Sequence, residues 1–447
     1  MTTDIAPILD YLALLFASGW ASLLDYLAAH VLLCLVPAFI IAGYMSAMIP
    51  KEAIIRYLGP KAHKGVSYPA AAIGGFILAV CSCTILPLFA GIWKRGAGLG
   101  PAITFLFVGP AVNILAIAYT GAAIGFDIAV ARIVLSITFG ITIGMIMARV
   151  FRKEEVKRAA QMADTGMFDQ QAVVAGAVWA VFLMLIAVLI IGTLQIEILT
   201  GTIFSLHLPT ELSPGLLATL HSLNLAPHGA LLILMLILIA PAAYLGLENV
   251  LERFNRWTYV AMGMVALTLL MASPTFAEGS IVIGITGRFV GELALIATIG
   301  VVAARSFEQR QIAEWLWETW RFVKQIFPLL IGGVFLAGMV KVVLPEQWIQ
   351  TLAGRNTIWA NFIGVVFGVF MYFPTLVEVP IARMFLDLGM HRGPLLAYLL
   401  ADPELSLQSI LVTSKILGRK KTIAYVSLVT IFSTLAGYLF GLFLIAV

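Results

Sequence analysis

The sequence predicts an all-α polytopic membrane protein, and three observations support this fold class. Of its 447 residues, 61% are apolar and only 11% are charged, and a soluble core could not bury so much apolar surface. The mean hydropathy is +1.03. Apolar runs of about 20 residues, the length of a membrane-spanning helix, recur along the whole chain. These runs are 30–49, 69–93, 99–122, 127–148, 172–194, 228–247, 256–272, 281–304, 326–344, 357–388, 394–417 and 422–446.

Charge, cysteine content and motifs exclude several other classes of protein. The net charge of +4 is spread over short loops, where it orients helices, so we expect no nucleic-acid partner. Cys34, Cys81 and Cys83 are too few for a disulfide framework. No Walker loop, hydrolase motif or dinucleotide fingerprint is present, so we expect neither enzymatic activity nor a cofactor. Transport by this chain alone would then use an ion gradient.

The first residues differ from the other apolar segments. Segment 5–24 is only moderately apolar, and Asp4, Asp10 and Asp25 flank or interrupt it. This pattern favours an N-terminal helix, within 1–29, that lies in the membrane interface. A basic region and a small-residue cleavage site are missing, so we do not expect a removable signal peptide.

An internal repeat organises the rest of the chain. Its clearest markers are prolines and glycines, which recur at fixed spacing less often by chance than apolar residues do. Two transport repeats are predicted, over 30–150 and 325–447, joined by an intervening four-helix region over 151–324. The markers share one offset of 293 residues, and they are Pro87, Gly100, Pro101 and Pro110 with Pro380, Gly393, Pro394 and Pro403.

The distribution of lysine and arginine predicts the topology, because short basic loops stay in the cytoplasm. If 69–93 crossed the membrane completely, the basic loops 94–95 and 149–158 would lie on the opposite side from 51–64. We therefore predict that 69–93 is a re-entrant hairpin. The equivalent hairpin, 357–388, then enters from outside. The result is about ten spanning helices plus two hairpins in inverted repeats with broken helices, an arrangement typical of secondary transporters.

The helix breaks indicate where a solute would bind. Irregular backbone at membrane depth is tolerated only where it lines a protein cavity. The breaks fall at the hairpin tips, near Cys81-Ser82-Cys83 and Phe373-Pro374-Thr375, and beside Gly109-Pro110 and Pro403. The predicted substrate-binding residues are those at or next to these breaks, namely Cys81, Ser82, Cys83, Thr84, Asn113, Pro374, Thr375 and Ser406.

Two kinds of side chain at these breaks carry chemistry. The pair Cys81 and Cys83 offers soft sulfur ligands, which favour trivalent arsenic, Cu(I) or Zn(II), although small cysteines also pack well between helices. Carboxylates at membrane depth are costly, so Glu378, Asp402 and Glu404 are predicted to exchange protons. The alternative is that these acids lie near an interface and cap the half-helices that follow.

Three histidines lie between 205 and 228, in a stretch that we place outside. They are His207, His221 and His228, and their spacing matches no compact metal motif. A solvated loop is therefore the better interpretation, and no metal site is predicted.

Several stretches resemble the YraQ/ArsP-like predicted permeases. They are 79–92 (AVCSCTILPLFAGI), Lys94-Arg95-Gly96, Thr104-Phe105-Leu106 and Pro110-Ala111-Val112-Asn113. The resemblance implies efflux of trivalent organoarsenicals or, as in relatives, of soft metals. It carries over residue by residue to Cys81, Cys83 and Asn113, and it is weaker through 159–320.

These observations predict a secondary permease of the inner or plasma membrane that exports a small thiophilic solute in exchange for protons. Its expected partners are the lipid bilayer, the solute and protons, and no signal for an oligomeric state is present. Two other classes fit some of the same residues. A channel would use the breaks as a filter. A membrane thiol oxidoreductase would use Cys81 and Cys83 as a redox pair, although one intervening residue would strain the disulfide.

Overall fold

The structure is a computed structural model of the chain. It describes residues 6–29, 35–49, 51–60, 62–78, 82–112, 114–164, 176–193, 197–208, 215, 226–271, 281–343, 351–370 and 378–445. The predicted site residues Cys81, Asn113, Pro374 and Thr375 lie outside these ranges, as does His221.

The described residues are almost all helical. The first helices, in chain order, are α1 (Ala6–Ala29), α2 (Val36–Ala47), α3 (Lys51–Leu58), α4 (Lys64–Leu78), α5 (Ser82–Lys94), α6 (Leu99–Ala111), α7 (Ile114–Ala123), α8 (Phe126–Val150) and α9 (Arg152–Asp164). The middle of the chain forms α10 (Gly176–Thr193), α11 (Glu197–Thr200), β1 (Thr202–Leu208), α12 (Pro227–Leu247), α13 (Arg256–Met271), β2 (Ile281–Thr286) and α14 (Gly287–Ser306). The last part forms α15 (Gln309–Val343), α16 (Ile358–Phe370), α17 (Glu378–Asp387), α18 (Arg392–Ala401), α19 (Leu407–Leu417) and α20 (Arg419–Ile445).

The helices confirm the predicted all-α polytopic fold class. Within the described residues, 6 helices are long and apolar enough to cross a membrane, and further apolar helices are shorter. The long ones are Asp10–Ala28, Phe126–Val150, Pro227–Leu247, Gly287–Ser306, Gln309–Met339 and Arg419–Phe443. The first of them lies in α1, so its length would allow a span. The interfacial placement of 1–29 stays a prediction.

A short two-stranded sheet interrupts the helices where the sequence predicted none. Strands β1 and β2 pair antiparallel, with Leu208 opposite Ile281 and a register shift between Thr202 and Phe204. Strand β2 occupies the start of the run 281–304, which we predicted to be helical throughout. Its sequence, IVIGIT, is rich in β-branched residues, which favour extended backbone over helix. The helix begins only at Gly287, where the Thr286 hydroxyl accepts a hydrogen bond from the Phe289 amide.

The chain divides into two compact units. The first consists of 1–22, 51–169 and 326–447, and the second of 23–50 and 170–325. Both predicted repeats contribute most of their residues to the first unit, whereas 30–50 belongs to the second. The division of the sequence into 1–29, 30–150, 151–324 and 325–447 stays a prediction.

Within the second unit, Tyr44 is the centre of an aromatic cluster. Its ring lies against those of Phe182, Phe307 and Trp315, and its hydroxyl donates to the Val178 carbonyl at 2.8 Å. The Trp315 indole donates to the Ile40 carbonyl at 2.9 Å, so each buried aromatic polar group named here has a partner. This cluster fixes α2 and α10 against the first half of α15.

Corresponding helices of the first unit repeat in both sequence position and packing. Helices α6, α7 and α8 begin 293 residues before α18, α19 and α20, the same offset as the proline markers. In the first copy α4, α6 and α8 pack on one another, and in the second α16, α18 and α20 do the same. The copies also meet through equivalent pairs, α5 with α19 and α7 with α17. The first unit therefore has the pseudo-symmetry that the repeat predicted.

Basic loops gather at one end of the first unit. The Lys421 ammonium lies 3.3 Å from a Glu154 oxygen, and the Arg158 guanidinium donates to the Ala97 carbonyl at 3.3 Å. The Gly98 amide donates to the Leu58 carbonyl at 2.7 Å. The loops after α3, after α5, after α8 and before α20 therefore share one end. Burial lowers the pKa of Arg158, and its partner Glu155 opposes that shift.

A second set of contacts defines the opposite end. The Arg392 guanidinium lies 2.7 Å from an Asp127 oxygen, and that of Arg383 donates to the Ala123 carbonyl at 3.1 Å. The His391 amide donates to the Ala353 carbonyl at 2.9 Å. The loops after α7, before α16 and after α17 therefore lie together here.

Each hairpin begins and finishes at the same end of the first unit. Helix α4 begins and α5 finishes at the basic end, whereas α16 begins and α17 finishes at the opposite end. At 15 and 13 residues, α4 and α5 are about 22 and 20 Å long, too short to cross a hydrocarbon core of about 30 Å. The hairpins thus enter from opposite ends, as predicted for inverted repeats. The charge rule predicts that the basic end faces the cytoplasm, and this orientation stays a prediction.

Glycine pairs set the spacing of the central helices. A methyl group on Gly144 of α8 would stand 2.6 Å from the Gly100 carbonyl oxygen of α6. At the equivalent position in the second copy, a methyl group on Gly437 would stand 2.5 Å from the Gly393 carbonyl oxygen. Close backbone approach of this kind is common between membrane helices.

We predict that Gly437→Ala destabilises the protein by about 1–3 kcal/mol, because the added methyl group forces α18 and α20 apart. Gly300→Ala is the matched control, since Gly300 is an exposed helical glycine and no atom of the described residues lies within 4 Å of an added methyl group. Thermal unfolding of the purified protein in detergent would measure both variants. Equal stability of the two variants would contradict the packing argument.

Candidate solute and proton site

The site lies in the first unit, where the broken helices of both copies meet. Helices α6 and α7 are separated at 112–113, and α18 and α19 at 402–406. Because α5 packs on α19 and α7 packs on α17, each hairpin contacts the broken helix of the other copy. The helix breaks therefore converge from both halves.

Sequence chemistry explains the second break. Pro403 has no amide hydrogen to continue the helix, and α18 ends at Ala401. Ser406 then caps α19, because its hydroxyl accepts a hydrogen bond from the Ser409 amide at 3.3 Å. Its hydroxyl also lies 2.7 Å from that of Ser409. Ser406 is fully buried, and in the structure its side chain satisfies the backbone of its own helix.

A fully buried ion pair joins the first copy to the second. Arg132, on α8, forms a salt bridge through its guanidinium to the carboxylate of Glu378, the first residue of α17, and both side chains are 0% exposed. The Arg132 Nε also donates to the Ala111 carbonyl at 3.2 Å, at the end of α6. One guanidinium thus connects the hairpin of the second copy to the break of the first.

Asp402 completes a cluster around this pair. Its carboxyl lies beside that of Glu378 and within the electrostatic influence of Arg132, and it is 2% exposed. Neither of its oxygens has a hydrogen-bond donor among the described residues. Two carboxyls can share a hydrogen bond only when one carries a proton.

Glu404 occupies the same break but has a different partner. Its carboxylate accepts a hydrogen bond from the Tyr425 hydroxyl of α20 at 2.7 Å. Tyr425 is the repeat equivalent of Arg132, and Glu404 is the equivalent of Ala111. The same two positions of the repeat are therefore in contact in both copies. The contact is made by Arg132 to a backbone carbonyl in the first copy and by Tyr425 to a carboxylate in the second.

Buried polar groups without partners among the described residues lie on α8, α18 and α19, the helices next to the cluster. Within the described part of the chain, hydrogen-bond partners are missing for the hydroxyls of Ser136 and Tyr398 and for the amide of Gln408, all of which are buried. Ser136 is one turn beyond Arg132 on α8, and Tyr398 lies within electrostatic reach of Glu378 and Asp402. Buried polar groups normally find partners, so a water or a polar solute would be favoured here.

The remaining predicted residues are described only in part. Thr84 is buried in the first turn of α5, and Ser82 and Cys83 belong to the same turn. The structure brings Glu378 and Asp402 together. The predicted residues Cys81, Asn113, Pro374 and Thr375 fall outside the described residues.

Sequence reasoning missed Arg132, which is the central cation of this cluster. It lies in the apolar run 127–148 and was treated as part of a spanning helix. An ionisable residue inside such a run is itself a signal of function, so the residue could have been found. The tyrosines Tyr398 and Tyr425 gave no comparable signal, because tyrosine is common in membrane helices.

We predict that Arg132→Gln lowers the free energy of unfolding by about 3–5 kcal/mol, because it leaves the Glu378 carboxylate buried without a counterion. The double variant Arg132→Gln/Glu378→Gln should lose less, since both charges are gone. Thermal unfolding in detergent of the wild type, Arg132→Gln, Glu378→Gln and the double variant completes a double-mutant cycle.

The half-exposed pair of Arg392 and Asp127 provides the control. Arg392→Gln should change stability by at most about 1 kcal/mol, as is usual for surface ion pairs. A double variant less stable than Arg132→Gln would contradict a buried ion pair at this position.

Comparison with known proteins supplies an independent view of the chain. A family model described as a predicted permease, ArsP_1, matches residues 17–442. The UPF0718 protein MJ0584 of Methanocaldococcus jannaschii is 36% identical over 427 residues, which cover 95% of each chain. The UPF0718 protein YraQ of Escherichia coli is 23% identical over 194 residues, 40% of this chain and 54% of that one. No solved structure matches.

Proposed function

Because the chain belongs to the ArsP_1 family of predicted permeases, we propose that it is a secondary permease that exports a small thiophilic solute in exchange for protons. Family membership and the apolar helices make it an integral membrane transporter. The solute class, the direction, the proton coupling and the placement in the inner or plasma membrane are the proposal.

The observation that supports proton exchange is the charge balance of the site. Glu378, Asp402 and Glu404 are buried together, and among the described residues Arg132 is the one cation within reach. Three carboxylates and one guanidinium would leave two uncompensated negative charges at membrane depth, which is very costly. Protons that come and go offset this charge, and transporters use such carboxyls as proton relays.

The observation that supports alternating access is the pair of hairpins. They enter from opposite ends and meet broken helices near the middle of the first unit. In inverted-repeat transporters, substrate sites lie where such breaks meet, and rocking of one repeat against the other exposes the site to each side. A solute held between the hairpin tips would therefore reach the cytoplasm and the outside in turn.

The solute class rests on the sulfur ligands. Cys81 and Cys83 fall at and just after the tip of the first hairpin, next to buried Thr84. Thiolates favour soft species such as trivalent arsenicals. Asn113, Pro374, Thr375 and Ser406 come from the other breaks, and in this proposal they enclose and orient the solute.

We predict that Cys81→Ser/Cys83→Ser weakens transport of a thiophilic solute by about tenfold or more, or about 1.4 kcal/mol, because the soft ligands are lost. Cys34→Ser is the matched control and should transport normally. The assay is flux into proteoliposomes of methylarsenite, Cu(I), Zn(II) and, for comparison, sulfate. Normal methylarsenite, Cu(I) and Zn(II) flux in the double variant would assign the cysteines to packing.

We predict that Glu378→Gln retains solute exchange between the two sides but loses accumulation driven by a pH gradient, because Arg132 loses its counterion and a neighbouring carboxyl must then stay ionised to compensate it. The same vesicles would report both quantities, as exchange of labelled solute and as net uptake after a pH jump. Asp387→Asn, at the exposed end of the same helix, is the control. Normal pH-driven accumulation in Glu378→Gln would contradict a role of Glu378 in proton coupling.

A further inference from the structure

We propose that Asp402 carries the exchanged proton, whereas Glu378 stays ionised as the fixed counterion of Arg132. This inference rests on the proposed function, since it says which carboxyl of that site performs the coupling. It gives Glu378 a positioning role.

The ion pair selects Glu378 as the counterion. The Arg132 guanidinium forms its salt bridge with Glu378, and no salt bridge joins it to Asp402 or Glu404. Arg132 is also held in place by the Ala111 carbonyl through Nε. Protonation of Glu378 would leave a fully buried guanidinium without a counterion, which is among the most costly arrangements in a protein interior. Glu378 is therefore poorly suited to gain and lose a proton in each cycle.

Asp402 has the opposite surroundings. It has no cation of its own, and Glu378 is its one carboxyl neighbour within hydrogen-bonding reach among the described residues. As a protonated acid, Asp402 can donate to the Glu378 carboxylate while Glu378 keeps its contact with Arg132. As a carboxylate, it would stand beside a second carboxylate. The geometry thus favours a proton on Asp402 when no solute is bound.

The position of Asp402 on the backbone suits a coupling residue. It follows the last residue of α18 and precedes Pro403, so it lies at the break rather than inside a helix. Gly368 of α16 packs against its backbone, and a methyl group on Gly368 would stand 3.1 Å from the Asp402 Cα. A movement of α16 relative to the break would therefore act on Asp402 directly.

The charged and titratable groups around Asp402 come from each helix packed at the break. Among the described residues they are Arg132 of α8, Glu378 of α17, Tyr398 of α18, Glu404 of the break itself and Tyr425 of α20. Tyr398 can donate a hydrogen bond, and Tyr425 already donates to Glu404. None of these groups other than Arg132 supplies positive charge.

The proton step follows from this arrangement. Water on the outer side delivers a proton to the Asp402 carboxylate, and the proton later leaves to cytoplasmic water, with no other bond made or broken. Deprotonated Asp402 leaves one negative charge in excess beside Glu378. A solute that brings positive charge or donates hydrogen bonds would satisfy that charge. Solute and proton would then occupy the site in turn, as is required when inward movement of protons drives export of the solute.

Infrared difference spectroscopy of the purified full-length protein tests the assignment, because the carbonyl stretch of a protonated carboxylic acid is separate from the carboxylate bands. We expect the wild type to show such a band at neutral pH and Asp402→Asn to show a weaker one, to which Glu404, the other carboxyl of the site without a counterion of its own among the described residues, still contributes. The neutral double variant Arg132→Gln/Glu378→Gln should keep the band, because the fixed ion pair has been removed as a unit. Asp387→Asn, which changes an exposed carboxyl, should match the wild type.

Transport in proteoliposomes gives a second readout. Asp402→Asn should lose pH-driven accumulation by about tenfold or more, whereas Asp387→Asn, at the exposed end of α17, should retain it. A wild type without a protonated acid at neutral pH would overturn the proposal, whatever the variants do. So would a band that Asp402→Asn leaves undiminished, or pH-driven accumulation that survives in that variant.

The proposed permease function and the assignment of the proton to Asp402 can fail separately. If the bands behave as expected but no thiophilic solute is transported, the proposed function is wrong and the protonation assignment stands. If methylarsenite is exported and Asp402→Asn remains fully coupled, the permease stands and the assignment to Asp402 is wrong.

Discussion

The buried salt bridge between Arg132 and Glu378 is the interaction on which the centre of the first unit depends. An arginine side chain inside a membrane needs an anion, and a carboxylate there needs a cation, so each residue explains the presence of the other. The pair also joins three elements: the spanning helix α8, the start of α17 in the second hairpin and, through Ala111, the end of α6. Any rearrangement of the breaks must either keep this pair or compensate for its loss.

Much of the fold could be predicted from the sequence because membranes impose few solutions. Apolar length gave the helices, and the prolines around Pro87 and Pro380 gave the repeat. The basic loops required two re-entrant hairpins, and the contacts of Lys421 and Arg158 bring those loops to one end. Strand β2 was missed because an apolar, β-branched run of six residues reads the same way in a helix and in a strand.

The site was predictable only in part. Proline and polar residues located the breaks, and the carboxyls at Glu378 and Asp402 were recognisable as costly at that depth. Which carboxyl pairs with a cation depends on contacts between α8 and α17, which are more than 200 residues apart, and no local pattern carries that information. Arg132 illustrates the difficulty, since its neighbours in sequence are apolar and its partners are all distant.

The two copies of the repeat are not chemically equal at the break. Gly109 of the first copy corresponds to Asp402, and Ile85 corresponds to Glu378, so the acids belong to one copy alone. In a rocking cycle the two copies exchange conformations, and the two resulting states would have equal free energy only if the copies were identical. In the proposed cycle the outward-open and inward-open forms would therefore differ in free energy, and protonation would change that difference. A transporter built from two copies that differ in charge would therefore rest with its site open mainly to one side of the membrane. That preference would depend on pH.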